Sequence, residues 1–168
     1  AWSALTNSSS AQAMVGAFTH AVGNPAGTSF CMFKDFVPGA PGGVLRAYSA
    51  YTGTWSSFTP PGTGFVQRGT NVAVLQTSGQ YHGYSAYTNQ WTTLDAVGAV
   101  PFTNSEFAAA DLKASGAPFR FAAFSALRGT WSLSPEYPSS DAGLITGAAT
   151  AFAIRAEIGS ATTHSYSG

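Results

Sequence analysis

The stretch YSAYTGTW runs from Tyr48 to Trp55, and YSAYTNQW runs from Tyr84 to Trp91. A third version, FSALRGTW, runs from Phe124 to Trp131. Each places an aromatic residue and a Trp seven positions apart, with Ser-Ala directly after the aromatic. Partial copies flank these: WSALTN starts at Trp2, with Ser9 where Trp is expected, and YSG starts at Tyr166. The aromatic anchors Trp2, Tyr48, Tyr84, Phe124 and Tyr166 are spaced by 46, 36, 40 and 42 residues. Self-similarity at such a period marks a repeat architecture. The chain reads as a single domain, 1–168, with repeat intervals of about 2–47, 48–83, 84–123 and 124–166.

Between the anchors lie short strands punctuated by turns. Val72-Ala73-Val74-Leu75 is a strand-forming apolar run and Ser78-Gly79 a turn. Residues 80–87 alternate, Thr88-Asn89-Gln90 turns again, and 91–94 is strand-like. The same outline fits 29–35 with 44–50, 107–113 with 120–126 and 131–133, and 152–158 with 162–167. This predicts an all-β fold of repeated antiparallel units, three to four strands each, in about four repeats. Residues 8–18, SSSAQAMVGAF, carry a Ser run able to cap a short helix; the other reading is a loop leading into a strand. In a hairpin the aromatic and the Trp face each other across the ladder and bury a large apolar area. The expectation is that Trp55, Trp91 and Trp131 are mostly buried. One small sheet cannot bury both of its faces, whereas stacked copies can.

The aromatic-x6-Trp spacing at an interval near forty residues resembles the kelch repeat, at Tyr48/Trp55, Tyr84/Trp91 and Phe124/Trp131. The resemblance implies β-propeller blades, with the Tyr and Trp packed inside and between them. The Gly-Gly pair that precedes the Tyr in kelch repeats has one counterpart here, Gly42-Gly43; the later repeats have the single glycines Gly79 and Gly116. Four intervals imply either a small ring or part of a larger array.

Composition narrows the function. Charged residues make up 8% of the chain and the net charge is zero, against roughly a quarter charged in an average soluble domain. With 14% aromatic residues this is not a disordered composition. A neutral surface rich in small polar groups repels other copies weakly. The basic residues Lys34, Arg46, Arg68, Lys113, Arg120, Arg128 and Arg155 are scattered, which argues against nucleic acid. Cys31 is the only cysteine, so an intrachain disulfide or a Cys-based zinc site is excluded. No apolar run approaches the ~20 residues of a membrane helix. Ala1-Trp2-Ser3 is compatible with a mature N-terminus after cleavage, and with a truncated start.

Candidate ligand residues follow from repeat position. His82 and His164 each stand two residues before an anchor, at Tyr84 and Tyr166, where Arg46 and Ala122 stand in the other repeats. They read as solvated or hydrogen-bonded histidines, and no full metal-ligand set accompanies them. Tyr51 and Tyr87 are equivalent, and odd spacing from the anchors puts them on the opposite face from Tyr48 and Tyr84. If exposed, each offers a ring for stacking a sugar; the other reading is packing between blades. No catalytic residues, cofactor or metal are assigned: no Ser-His-acid set, phosphate loop or carboxylate pair is present in the pattern.

The first functional expectation is a secreted or surface-exposed structural and protein-interaction repeat domain within an assembly. The second is a multivalent carbohydrate-binding, lectin-like module, and the third an enzyme on a propeller scaffold. The strand at 162–168 lacks the turn and Trp strand that follow in complete repeats, and Trp2–Ser10 lacks the Trp. The expectation from this is association, with itself or another chain, through the terminal repeat.

Overall fold

A computed structural model describes residues 1–16, 18–21, 27–112, 120–136, 144–147, 151–155 and 163–167, with side chains for 1–16, 27–112 and 120–136. The described chain is all-β. A hairpin of β1 (Trp2–Ser3) and β2 (Ser8–Ser9) opens it. The first sheet follows as a meander of β3 (Phe18–Ala21), β4 (Phe30–Phe36), β5 (Val44–Ser49) and β6 (Trp55–Phe58). The second contains β7 (Phe65–Arg68), β8 (Val72–Thr77), β9 (Gln80–Ser85) and β10 (Gln90–Asp95). The third contains β11 (Phe102–Thr103), β12 (Phe107–Asp111), β13 (Phe121–Ser125) and β14 (Thr130–Leu133). β15 (Leu144–Gly147), β16 (Ala151–Arg155) and β17 (Thr163–Ser167) form a three-stranded sheet in the same order.

Each full sheet has four strands; the sequence outline omitted the first strand of each, β3, β7 and β11, together with β6 of the first sheet and β15 of the three-stranded one. Residues 8–16 form β2 and irregular chain, with no helix. The anchor-to-anchor intervals cut these sheets within the third strand, near its end, because Tyr48, Tyr84 and Phe124 lie there.

The aromatic and the Trp are direct cross-strand partners in every complete copy: Tyr48 with Trp55, Tyr84 with Trp91, and Phe124 with Trp131. Their ring centroids are 5.4, 5.1 and 5.1 Å apart. Trp2 pairs with Ser9 in the same register, which makes the N-terminal hairpin the equivalent of β9–β10. The structure corrects one expectation here. The three Trp side chains are half-buried, because they sit on the fourth strand, at the edge of its sheet.

The sheets stack face to face. β8 is buried on both faces, which explains its unbroken VAVL run. Ala73 and Leu75 join Tyr84 and Ala86 against Phe30, Met32, Leu45 and Ala47 of the first sheet. Val72, Val74 and Tyr81 pack against Ala108, Ala110, Phe124 and Ala126 of the third. Tyr84 reaches towards the preceding sheet, where it meets the Phe30 ring at 5.3 Å, and Phe124 reaches towards the second sheet, where Gly83 receives it. A Cβ on Gly83 would stand 2.5 Å from Phe124 Cδ2, so this position leaves room for the ring only as glycine.

Candidate functional site

The Ser-Ala pair after each anchor begins the turn between third and fourth strands. Its Ser hydroxyl accepts a turn N–H, from Thr6 onto Ser3 (3.2 Å), Thr52 onto Ser49 (3.2 Å) and Thr88 onto Ser85 (3.2 Å). The same hydroxyl donates to the Ala carbonyl of the next turn: Ser3 to Ala50, Ser49 to Ala86, Ser85 to Ala126. The Ala N–H is used within its own sheet, by Ser29, Asn71 and Glu106 carbonyls for Ala50, Ala86 and Ala126. Each turn is thus bonded to the next. The octamer is repeated because every polar atom at its start has a defined partner.

Five residues after the anchor the backbone turns left-handed in all four described copies: Asn7 (φ 48°), Gly53 (φ 67°), Asn89 (φ 54°) and Gly129 (φ 67°). Gly and Asn tolerate that region where other residues are strained. The third residue after the anchor lies within the same turn. In the four copies this is Leu5, Tyr51, Tyr87 and Leu127. Leu5 and Leu127 are 64% and 66% exposed. Tyr51 and Tyr87 are half-buried and stack on each other, with centroids 4.4 Å apart and an interplanar angle of 29°. The result is a row of apolar side chains, one per turn, on a hydrogen-bonded ladder.

Beneath the stacked pair lies Asn71, which is buried. Its Oδ1 accepts from Ser29 Oγ and, at 3.3 Å, from Tyr51 Oη; its Nδ2 donates to Tyr87 Oη at 3.0 Å and to Glu106 Oε1. Those four bonds use the whole capacity of an amide side chain. Burial pushes the Tyr87 phenol well above its ordinary range, and hydrogen bonding with Tyr51 and Glu106 adds to it. Tyr51 packs on the interface of the first and second sheets, and Tyr87 on that of the second and third. Tyr48 and Tyr84 lie on the other faces of their sheets. The repeat alignment contained Leu5 and Leu127 at this slot, but the sequence reading took only the aromatic members. Asn71 and Glu106, outside the octamer, carried no signal.

His82 is buried between the first two sheets, 4.7 Å from the Phe58 ring. Its Nδ1 is 2.9 Å from Thr93 Oγ1 and its Nε2 3.3 Å from Thr77 Oγ1. Burial lowers its pKa, with the Asp95 charge opposing. Arg46, at the equivalent position, is also buried. It donates from Nε to Asp35 Oδ2 at 3.2 Å and from Nη1 to Ser57 Oγ at 3.1 Å. Asp35 also accepts the Val15 and Gly16 N–H groups, at 2.9 and 2.8 Å, and these bonds, with Arg46, hold its carboxyl below the usual range. The two equivalent slots are therefore filled by polar groups that fix strands and the 15–16 segment. The side chains of His164 and Tyr166 lie outside the described residues; their backbones pair with Ile154 and Phe152. Cys31 is half-buried opposite Tyr48, and burial raises its thiol pKa. Among the described residues no group of three or more His, Cys, Asp or Glu converges as a metal site. None of their helices is long and apolar enough to cross a membrane.

No protein-family model matches the chain. No curated protein matches it either. Among solved structures it is similar to the N-terminal domain of Nup159, at 11% identity and a TM-score of 0.44. That match covers 86% of this chain and 43% of the other, so the chain spans less than half of that domain's length. At this level the likeness has no bearing on function.

Proposed function

We propose that this chain is a protein-interaction repeat domain whose sheets are arranged as propeller-type, kelch-like blades, and that it works outside the cell. The observation that carries the reading is the row Leu5, Tyr51, Tyr87 and Leu127. Leu5 and Leu127 stand about two-thirds exposed at equivalent turn positions, and an aligned apolar row on a hydrogen-bonded ladder suits a partner surface. Tyr is enriched at interface centres, where it supplies area at low entropic cost. Only Arg128 brings a formal charge into these turns, so the partner face is apolar and weakly charged. Pairing of a partner strand, from a second copy or another chain, along β17 belongs to the same reading, since β17 pairs with β16 alone among the described strands.

The test is photo-crosslinking. Benzoylphenylalanine is placed at Leu127 or Leu5, and at Ser78, on the turn at the opposite end of the second sheet. A protein adduct at Leu127 and Leu5 but not at Ser78 supports the proposal. Equal labelling at all three sites overturns it.

A second reading is favoured by the Thr and Asn side chains beside the row, at Thr6, Asn7, Thr52, Thr88 and Asn89. Rings flanked by hydroxyls and amides suit a neutral glycan. Glycan-array binding lost on Tyr87→Ala, with the fold intact, would select this reading.

A further inference from the structure

A cleft of about 210 Å³ opens between the first and second sheets, at the end away from the Ser-Ala turns. Leu45 and Leu75, both buried, line its base with the half-buried Val66, and the exposed Phe65 stands at its rim. Gly42 and Gly64 also border it. A Cβ on Gly42 would lie 2.3 Å from Gly62 O, and one on Gly64 2.2 Å from Gln76 O. Both segments are held so close to neighbouring backbone that neither contributes a side chain to fill the space.

Among the described residues that line this apolar space, Lys34 is the charged one. Lys34 pairs with Leu45 across β4 and β5, so the two share a face. Its ammonium lies 5.1 Å from the Phe36 ring centroid. The ion pairs among the described residues join Arg46 to Asp35 and Arg120 to Glu136, and none of these pairs involves Lys34. An apolar base beside a cation is complementary to a ligand with an apolar body and an anionic end. The volume is below the ~300 Å³ at which drug-sized pockets begin, which limits the body to a few carbons.

We propose that this cleft binds a compact apolar group ending in a carboxylate. The chemistry is shared by a short fatty acid and by the C-terminal apolar residue of another chain. The site is separate from the turn row, so either proposal can fail alone.

The experiment titrates hexanoate, N-acetyl-leucine and hexanol into protein with labelled Leu and Val methyls. Saturable shifts at Leu45, Val66 and Leu75 with either carboxylate are expected, with hexanol at least tenfold weaker. The tighter of the two carboxylates identifies the source. Lys34→Gln should weaken carboxylate binding about tenfold or more, and Val66→Phe, which fills the cleft, should abolish it while the sheet spectrum is kept. Non-saturable shifts, hexanol binding as tightly as hexanoate, or an unaffected Lys34→Gln would each overturn the proposal.

Discussion

Ser85 and Ala126 are 41 residues apart, and the Ser85 hydroxyl, fully buried, donates to the Ala126 carbonyl. The link joins the second sheet to the third and is repeated one sheet earlier by Ser49 and Ala86. Removing the hydroxyl leaves a buried carbonyl and the Thr88 N–H without their partner. Ser85→Ala is expected to cost about 1–3 kcal/mol, and Ser49→Ala a similar amount. Urea denaturation of each variant measures this; a change within error at both positions would contradict the ladder.

Trp131 Nε1 donates to Thr92 O at 3.0 Å, and Trp55 Nε1 to Ser10 O at 3.2 Å. Trp91 Nε1, buried at the equivalent position, has no partner. Trp→Phe should therefore be milder at Trp91 than at Trp131, by about 1 kcal/mol. Thermal melts of the two variants, compared with Trp55→Phe, make the check.

Asn89 sits at φ 54°, accepts from Tyr84 Oη at 2.9 Å and donates to Thr54. Asn89→Gly keeps the backbone and loses the bonds. Asn89→Val loses both, and the left-handed conformation adds about 1–2 kcal/mol. The expected order of stability is wild type, then glycine, then valine. Valine matching glycine in chemical denaturation would show that the turn is not strained.

Gly83 faces the Phe124 ring, which is fully buried. Gly83→Ala forces that ring to move and is expected to destabilise by about 1–3 kcal/mol. A compensating Phe124→Leu should restore part of the loss, and a double-mutant cycle reads the coupling.

Acid should weaken the stack of the first two sheets. The His82 pKa is lowered from its ordinary value of 6.5, so the unfolded chain takes up its proton first. This contribution is fully present above about pH 6.5 and declines as pH falls below it. Thr77, Thr93, Phe58 and Asp95 surround the ring, and the Asp95 charge moderates the effect. Asp35, with its lowered pKa, adds a second loss in more acidic solution, as pH falls through its folded value. The melting temperature followed from pH 8 to pH 4 should bend near 6.5, and the bend should disappear in His82→Gln. A bend unchanged in that variant would assign it elsewhere.

The repeat, the strand order within it and the pairing of aromatic with Trp were legible in the sequence. The first two depend on local chain properties, and the third on a hairpin's geometry, where seven-residue spacing brings Tyr84 opposite Trp91. The first strand of each sheet was not legible. β7 is four residues of edge strand and β11 two, too short and too exposed for a periodic signal. What only the tertiary structure decided is what lies between repeats. The Ser hydroxyls join turns about forty residues apart, Gly83 makes room for an anchor from the next sheet, and Tyr51 meets Tyr87. Each depends on how closely one sheet sits on the next, a distance set by the summed volumes of both faces. The same holds for the cleft beside Lys34: its lining comes from β4, β5, β7, β8 and two loops, and its emptiness follows from backbone contacts at Gly42 and Gly64. A sequence repeat dictates that its copies have the same fold; packing between copies decides which side chains remain available to a partner.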